Sequence, residues 1–197
     1  MNPVLRQKQF LNANMINKYP KSVIRNMSLN PMELMFSKGA SKKHNERRLF
    51  KHPSEHVFNV VANVNDYKLF VPWCKDSRVL VRHNSNAFDA ELNVGFEMFT
   101  EKYVSNVILH NNNDKSNISK IEILSKDTAV LEHLSSVWAF SPVKDDDSMC
   151  IVDFEVSFKF KSSLYDSVSD LFMTQVAQQM VNAFEKRCQI VAIRNMK

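Results

Sequence analysis

The run His52-Pro53-Ser54-Glu55-His56 has the ligand order of inverted zinc peptidases, two histidines and a glutamate within one helical turn. Such a site needs both imidazoles on one face of a formed helix. Pro53 follows the first histidine directly and belongs at the start of a helix, where its missing N–H costs nothing. His52 is therefore expected outside the helix, and this pentapeptide reads as the solvated beginning of one. His133 with Cys150, or with Ser135 and Ser136, supplies a base and a nucleophile. Nothing sets that nucleophile on a sharp turn, and no oxyanion loop is visible. Asp145-Asp146-Asp147 is a carboxylate run that reads as a solvated turn. The residues thus predict neither catalytic residues nor a metal.

The groups that remain are apolar. Fourteen phenylalanines and ten methionines point to a large, adaptable interior, and two glycines, Gly39 and Gly95, are too few for a phosphate-cradling loop. Three distant cysteines, Cys74, Cys150 and Cys188, make neither a disulfide framework nor a zinc site. The formal charge of +5 is unevenly spread. Residues 1–45 hold eight basic side chains and one acid, leaving 18 basic and 20 acidic for the rest. A nucleic-acid surface belongs on the folded body, so no nucleic-acid partner is expected.

Residues 1–44 read as a basic, acid-poor extension. Its composition fits a mitochondrial transit peptide, the plain alternative being a polar tail rich in Asn and Lys. The folded part is expected over 45–197. "NERRLFKH" reads as a short strand, and "PSEHVFNVVANV" as a helix with Ser54 at its N-cap. Strand patterns recur at 78–83, 88–98, 102–110, 118–124, 134–140 and 150–160. In the last, Val152, Phe154, Val156, Phe158 and Phe160 alternate with Asp153, Glu155, Ser157 and Lys159, which is an antiparallel strand with one wet face. From Ser163 the period changes to three and four, through Leu164, Val168, Leu171, Phe172, Val176, Met180 and Phe184, giving one long amphipathic helix. The expected fold is α+β, a curved antiparallel sheet of about seven strands wrapped around a long C-terminal helix, with an apolar cavity between them.

One stretch fits neither period. "DYKLFVPWCKDS", 66–77, crowds Tyr67, Leu69, Phe70, Val71 and Trp73 around Pro72 and ends in charges. Together with Arg78 and Val79, which follow it, it resembles D-Y-x-x-F-[VL]-P-W-C-x-x-S-x-[VI], the signature of the mitochondrial coenzyme Q-binding START-domain proteins. These belong to the polyketide cyclase/dehydrase and lipid transport superfamily. The likeness continues at Leu92, Gly95, Phe96, Glu101, Tyr103, Ser105 and Val107. It runs on through Trp138, Phe140 and Pro142, then from Cys150 to Ser162 and from Phe172 to Arg187. The resemblance implies a helix-grip (START / Bet v 1-like) fold that binds ubiquinone or a related polyprenyl quinone. It implies a lipid chaperone, not an enzyme, that supports respiration and coenzyme Q biosynthesis at the matrix side of the inner mitochondrial membrane. The implied partners are the quinone, as bound ligand and not cofactor, the membrane surface, and quinone-synthesis or respiratory complexes. The expected cavity lining is Leu92, Val94, Phe96, Trp138, Phe154, Val156, Phe158, Phe172, Val176 and Met180. Tyr67, Phe70, Val71, Pro72 and Trp73 are expected at the mouth, against the membrane. The alternatives are a polyketide cyclase-like enzyme, which needs groups such as Glu101 or Tyr103 facing the ligand, and a ribosome-associated protein, which needs a basic surface.

Overall fold

The structure is a computed structural model that describes residues 41–96, 99–111, 118–125 and 128–195, with the side chains of 96, 99, 164, 166–176 and 195 outside that description. The unit Lys38–Lys197 holds all these elements. Strand β1 spans Ser41–Phe50, helix α1 Ser54–Ala62, and a 3-10 helix Val64–Leu69. Strands β2 (Cys74–Asn84), β3 (Ala87–Phe96), β4 (Phe99–His110), β5 (Ser119–Ser125), β6 (Leu131–Val143) and β7 (Asp146–Phe160) follow. Helix α2, Asp166–Asn195, closes the chain after a short 3-10 turn at Ser163–Tyr165.

The strands form one antiparallel sheet in the order β1-β7-β6-β5-β4-β3-β2. All but β1 are meander neighbours, so each pairing needs only a short turn. β1 instead returns along the edge of β7, from Ser41 opposite Lys159 to Phe50 opposite Cys150. The folded chain therefore begins by Ser41, four residues before the expected boundary at Asn45. Residues 41–44 lack an apolar residue, so their strand character comes from pairing with the long β7 and carries no local signal.

Two further expectations need correction. Ser54 is the first residue of α1, the N-cap position belongs to Pro53, and no side-chain cap bond forms. Proline's fixed φ, here −55°, starts the helix in its place. His52 stands before the helix, its ring 5.2 Å from that of His56. The stretch around Tyr67 forms a 3-10 helix where an irregular segment was expected.

The sheet face toward the helices is the core. The whole alternating set of β7, Val152 to Phe160, is buried, while Asp153 on the other face pairs with Arg47 of β1 at 2.6 Å. α2 contributes Ala177, Val181, Phe184 and Cys188, a helical i, i+4, i+7, i+11 stripe. Val57, Phe58, Val60 and Val61 of α1 complete the layer.

Cys150 and Cys188 lie within this core, and burial pushes both thiols up from 9.0 to about 12, with the neighbouring Cys150 adding to the shift at Cys188. A raised folded-state pKa means that the unfolded chain loses its thiol protons first as pH rises. This part of the stability is whole below about pH 9 and is lost progressively from pH 9 toward 12. The urea midpoint is expected to fall between about pH 8.5 and 10.5 more steeply in the native sequence than in a Cys150→Ala/Cys188→Ala variant. Equal slopes would mean that these thiols titrate as in the unfolded chain.

Candidate functional site

The segment after α1 is built from bolts. Tyr67 donates its hydroxyl hydrogen to the carbonyl of Val61, which ties the 3-10 helix back onto α1. Asp66 receives a 2.8 Å ion pair from Arg187 on α2, and that guanidinium lies 5.5 Å above the Phe70 ring. Ser77 of β2 accepts from the Lys68 N–H at 3.1 Å and donates to the Asn65 carbonyl at 3.3 Å. The Asn65 side chain accepts from the Val79 N–H at 2.8 Å. Helix α1, the 3-10 turn, β2 and α2 are thereby fixed to one another through a few polar side chains.

The chain then turns sharply. Val71 N–H donates to Tyr67 O at 2.8 Å and Cys74 N–H to Val71 O at 3.2 Å, while Trp73 sits at φ 61°. A bulky residue in the left-handed region costs on the order of 1–2 kcal/mol, so the surroundings must hold it there. Part of that hold is visible. The Trp73 carbonyl accepts the Gly95 N–H of β3 at 2.9 Å.

Behind this corner lies a cavity of about 140 Å³ between the sheet and α2. That is more than one water needs, roughly 10–15 Å³ on that scale, but less than the about 300–1,000 Å³ of ordinary small-molecule sites. Its walls come from the corner (Tyr67, Val71, Pro72, Trp73), from β3 (Leu92, Val94), from β6 and β7 (Trp138, Val156, Phe158) and from α2 (Ala177, Met180, Phe184). Ten of the fifteen residues expected at the site thus line one space. Phe154 does not. It is buried behind Trp138, ring centroids 4.3 Å apart, so strand parity placed it on the right face but the indole covers it. Phe70 does not line it either. It packs edge-on against Phe184, ring centroids 5.0 Å apart, and lies under the Arg187 guanidinium, a cation–π contact. The side chains of Phe96, Phe172 and Val176 lie outside the described residues.

The same walls carry a polar set that was not expected among the lining residues, Glu101, Tyr103 and Ser105 of β4, Ser125 of β5 and Ser136 of β6, of which Glu101 and Tyr103 are the groups the cyclase-like alternative requires. Glu101 is 2% exposed, and one carboxylate oxygen accepts the N–H groups of Ala129 and Val130 at 2.6 and 3.3 Å. Ser105 and Ser125 share a 2.6 Å hydrogen bond. Burial first, then the nearby Cys74 and Glu101, drive the Tyr103 hydroxyl far above the ordinary phenol range. The inward parity of 101, 103 and 105 was the available signal, but polar residues at alternate positions look like a wet face. Of the conceivable nucleophile sets, His133 and Ser135 come within hydrogen-bond reach at 3.1 Å, but neither lines the cavity, and Cys150 is register-paired with Pro142.

Residues 50–185 match the family described as polyketide cyclase / dehydrase and lipid transport. The coenzyme Q-binding protein COQ10 of Eremothecium gossypii is 36% identical over 145 residues, 72% of this chain and 69% of that protein. The chain belongs to the mitochondrial coenzyme Q-binding family within that superfamily. Another member, the coenzyme Q-binding protein COQ10 homolog B of Xenopus laevis, is also 36% identical, over 74% of this chain. The chain spans 57% of that relative's length. Among solved structures, the ZhuI aromatase/cyclase of Streptomyces sp. R1128 superposes with a TM-score of 0.62 at 13% identity, covering 76% of this chain and 94% of its own. At that identity the likeness speaks for the helix-grip fold alone, the α+β architecture expected from the sequence.

Proposed function

We propose that this chain holds a polyprenyl quinone, ubiquinone or a close relative, in the cavity beneath Trp73 and carries it as a lipid chaperone without transforming it. The observation that carries the reading is the predominantly apolar cavity reaching the Pro72–Trp73 corner. Each five-carbon unit buried there contributes on the order of 2–3 kcal/mol, by about 25 cal/mol per Å². The bilayer offers the same tail equal burial, so a carrier needs an exit more than extreme affinity. In this reading the ring and the start of the tail enter a space that widens on loading, and the rest of a long chain lies outside it. An enzyme reading receives little support. The Glu101 carboxylate is engaged by backbone N–H groups and the Tyr103 hydroxyl is held in its protonated form, so neither is poised as a base.

In this reading the corner meets the inner mitochondrial membrane from the matrix side. Leu69, 64% exposed, stands beside Val71, Pro72 and Trp73, with Lys68 and Lys75 flanking them. Apolar and indole side chains suit the interface, and lysines suit anionic headgroups. The wet outer face of the sheet carries paired charges of both signs, such as Arg78 and Lys102 on Glu91 at 2.7 and 2.9 Å, which gives no support to a nucleic-acid surface.

Purified protein is expected to release a prenylquinone on organic extraction, identified by mass spectrometry. Trp73→Gly removes the lip side chain while relieving the φ 61° backbone. Its quinone yield is expected to drop about tenfold with a melting temperature no lower than native. Extracts without quinone would defeat the proposal, and a parallel loss of both quantities would reduce Trp73 to packing.

A further inference from the structure

The cavity is lopsided. Its apolar wall is β7, α2, and Leu134 and Trp138 of β6, while Tyr103 and Ser105 of β4, Ser125 of β5 and Ser136 of β6 bring hydroxyls. Leu92 of β3 lies opposite Tyr103, and Ser105 lies opposite Ser125, so the hydroxyl-bearing residues occupy neighbouring register positions. Ser105 and Ser125 bond to one another, and two hydroxyls sharing one hydrogen bond leave one O–H to give. The Tyr103 hydroxyl makes no hydrogen bond among the described residues, although its ring lines the cavity. A protonated phenol on the cavity wall, with no acceptor among the described residues, is a donor that a ligand can use, and its burial favours the protonated form. The oxygen it would meet must be uncharged and carried on something otherwise apolar, since no cation lines this cavity among the described residues.

We propose that Tyr103, with the Ser105–Ser125 pair beside it, is the head-group subsite of the cavity, donating hydrogen bonds to the ring oxygens of a neutral, oxygen-bearing ring. The ring then lies against β4 and β5, and the prenyl chain runs along Trp138, Val156 and Phe158. This deepens the quinone reading and rests on it.

The test uses the full chain and two probes with the same tail, ubiquinone-2 and geranylbenzene, whose ring has no oxygen. Each displaces the neutral fluorophore N-phenyl-1-naphthylamine from the cavity. The native protein is expected to prefer ubiquinone-2. Tyr103→Phe removes a single oxygen, and is expected to weaken ubiquinone-2 by about three- to tenfold, the worth of one neutral hydrogen bond. Geranylbenzene affinity should stay within about twofold, and the melting temperature should stay near native, since the hydroxyl has no hydrogen-bond partner among the described residues to lose. Ser105→Ala/Ser125→Ala, which deletes the pair together, is expected to shift the same preference in the same direction. Unchanged ubiquinone-2 binding in both variants would overturn the subsite and leave the carrier reading standing. A native protein from which ubiquinone-2 displaces nothing would overturn the carrier reading and the subsite together.

Discussion

Phe184→Ala is expected to destabilise the fold by about 3–5 kcal/mol, the range for removing a fully buried aromatic ring. Phe184 is 1% exposed, and its ring lies 5.1 Å from Tyr67, 5.0 Å from Phe70 and 4.8 Å from Trp138. It is the point where α2, the 3-10 turn and the sheet meet. Alanine leaves three aromatic rings facing an emptied volume, and that volume joins an existing cavity, so the walls cannot close over it. A domain of this size has about 5–15 kcal/mol of stability in total. The variant should therefore survive only in low denaturant, with its urea midpoint shifted and its slope nearly unchanged. Phe184→Leu keeps most of the volume and should cost about 1–2 kcal/mol. Similar losses from the two variants would show that the rings contribute through contacts other than filling this space.

Arg187→Ala is expected to cost about 2–3 kcal/mol, below the usual figure for breaking a buried pair because Asp66 retains some water. The Arg187 side chain is 9% exposed and that of Asp66 35%. The guanidinium does two things at once, since it pairs with Asp66 and covers the Phe70 ring. Lysine can keep the charge but not the planar stacking, so Arg187→Lys should recover less than half of the loss. The effect is expected to be local. Amide exchange over residues 64–73 should accelerate far more than exchange in β6 and β7, because this pair is the tie between α2 and the corner. Uniform acceleration across the sheet would make Arg187 a general core residue and not a latch.

Much of this architecture is legible in the chain. The alternation from Val152 to Phe160 places β7 and its buried face, because period two on a half-wet strand allows only one register. The long stripe ending at Phe184 likewise shows a helix with one apolar side. The "DYKLFVPWCKDS" motif marks the corner, and its Asp66, Tyr67 and Ser77 prove to be fasteners, with contacts that only the fold reveals. β1 before Asn45 was illegible because its partner, β7, is a hundred residues away and supplies the reason for the strand.

The sequence by itself determined that there is one antiparallel sheet, one long closing helix and a largely apolar interior, since these follow from local periodicity and composition. Only the tertiary structure decided which polar residues of β4 look inward. Its inner residues include Glu101, Tyr103 and Ser105, while Val104 and Ile108 on the outer face are 41% and 37% exposed. Alternation favours the inner face through Tyr103, Val107 and Leu109, but it gives no reason for Glu101 and Ser105 to share it. The register with β3 and β5 settles it, because pairing fixes every side chain's face at once, whatever its polarity.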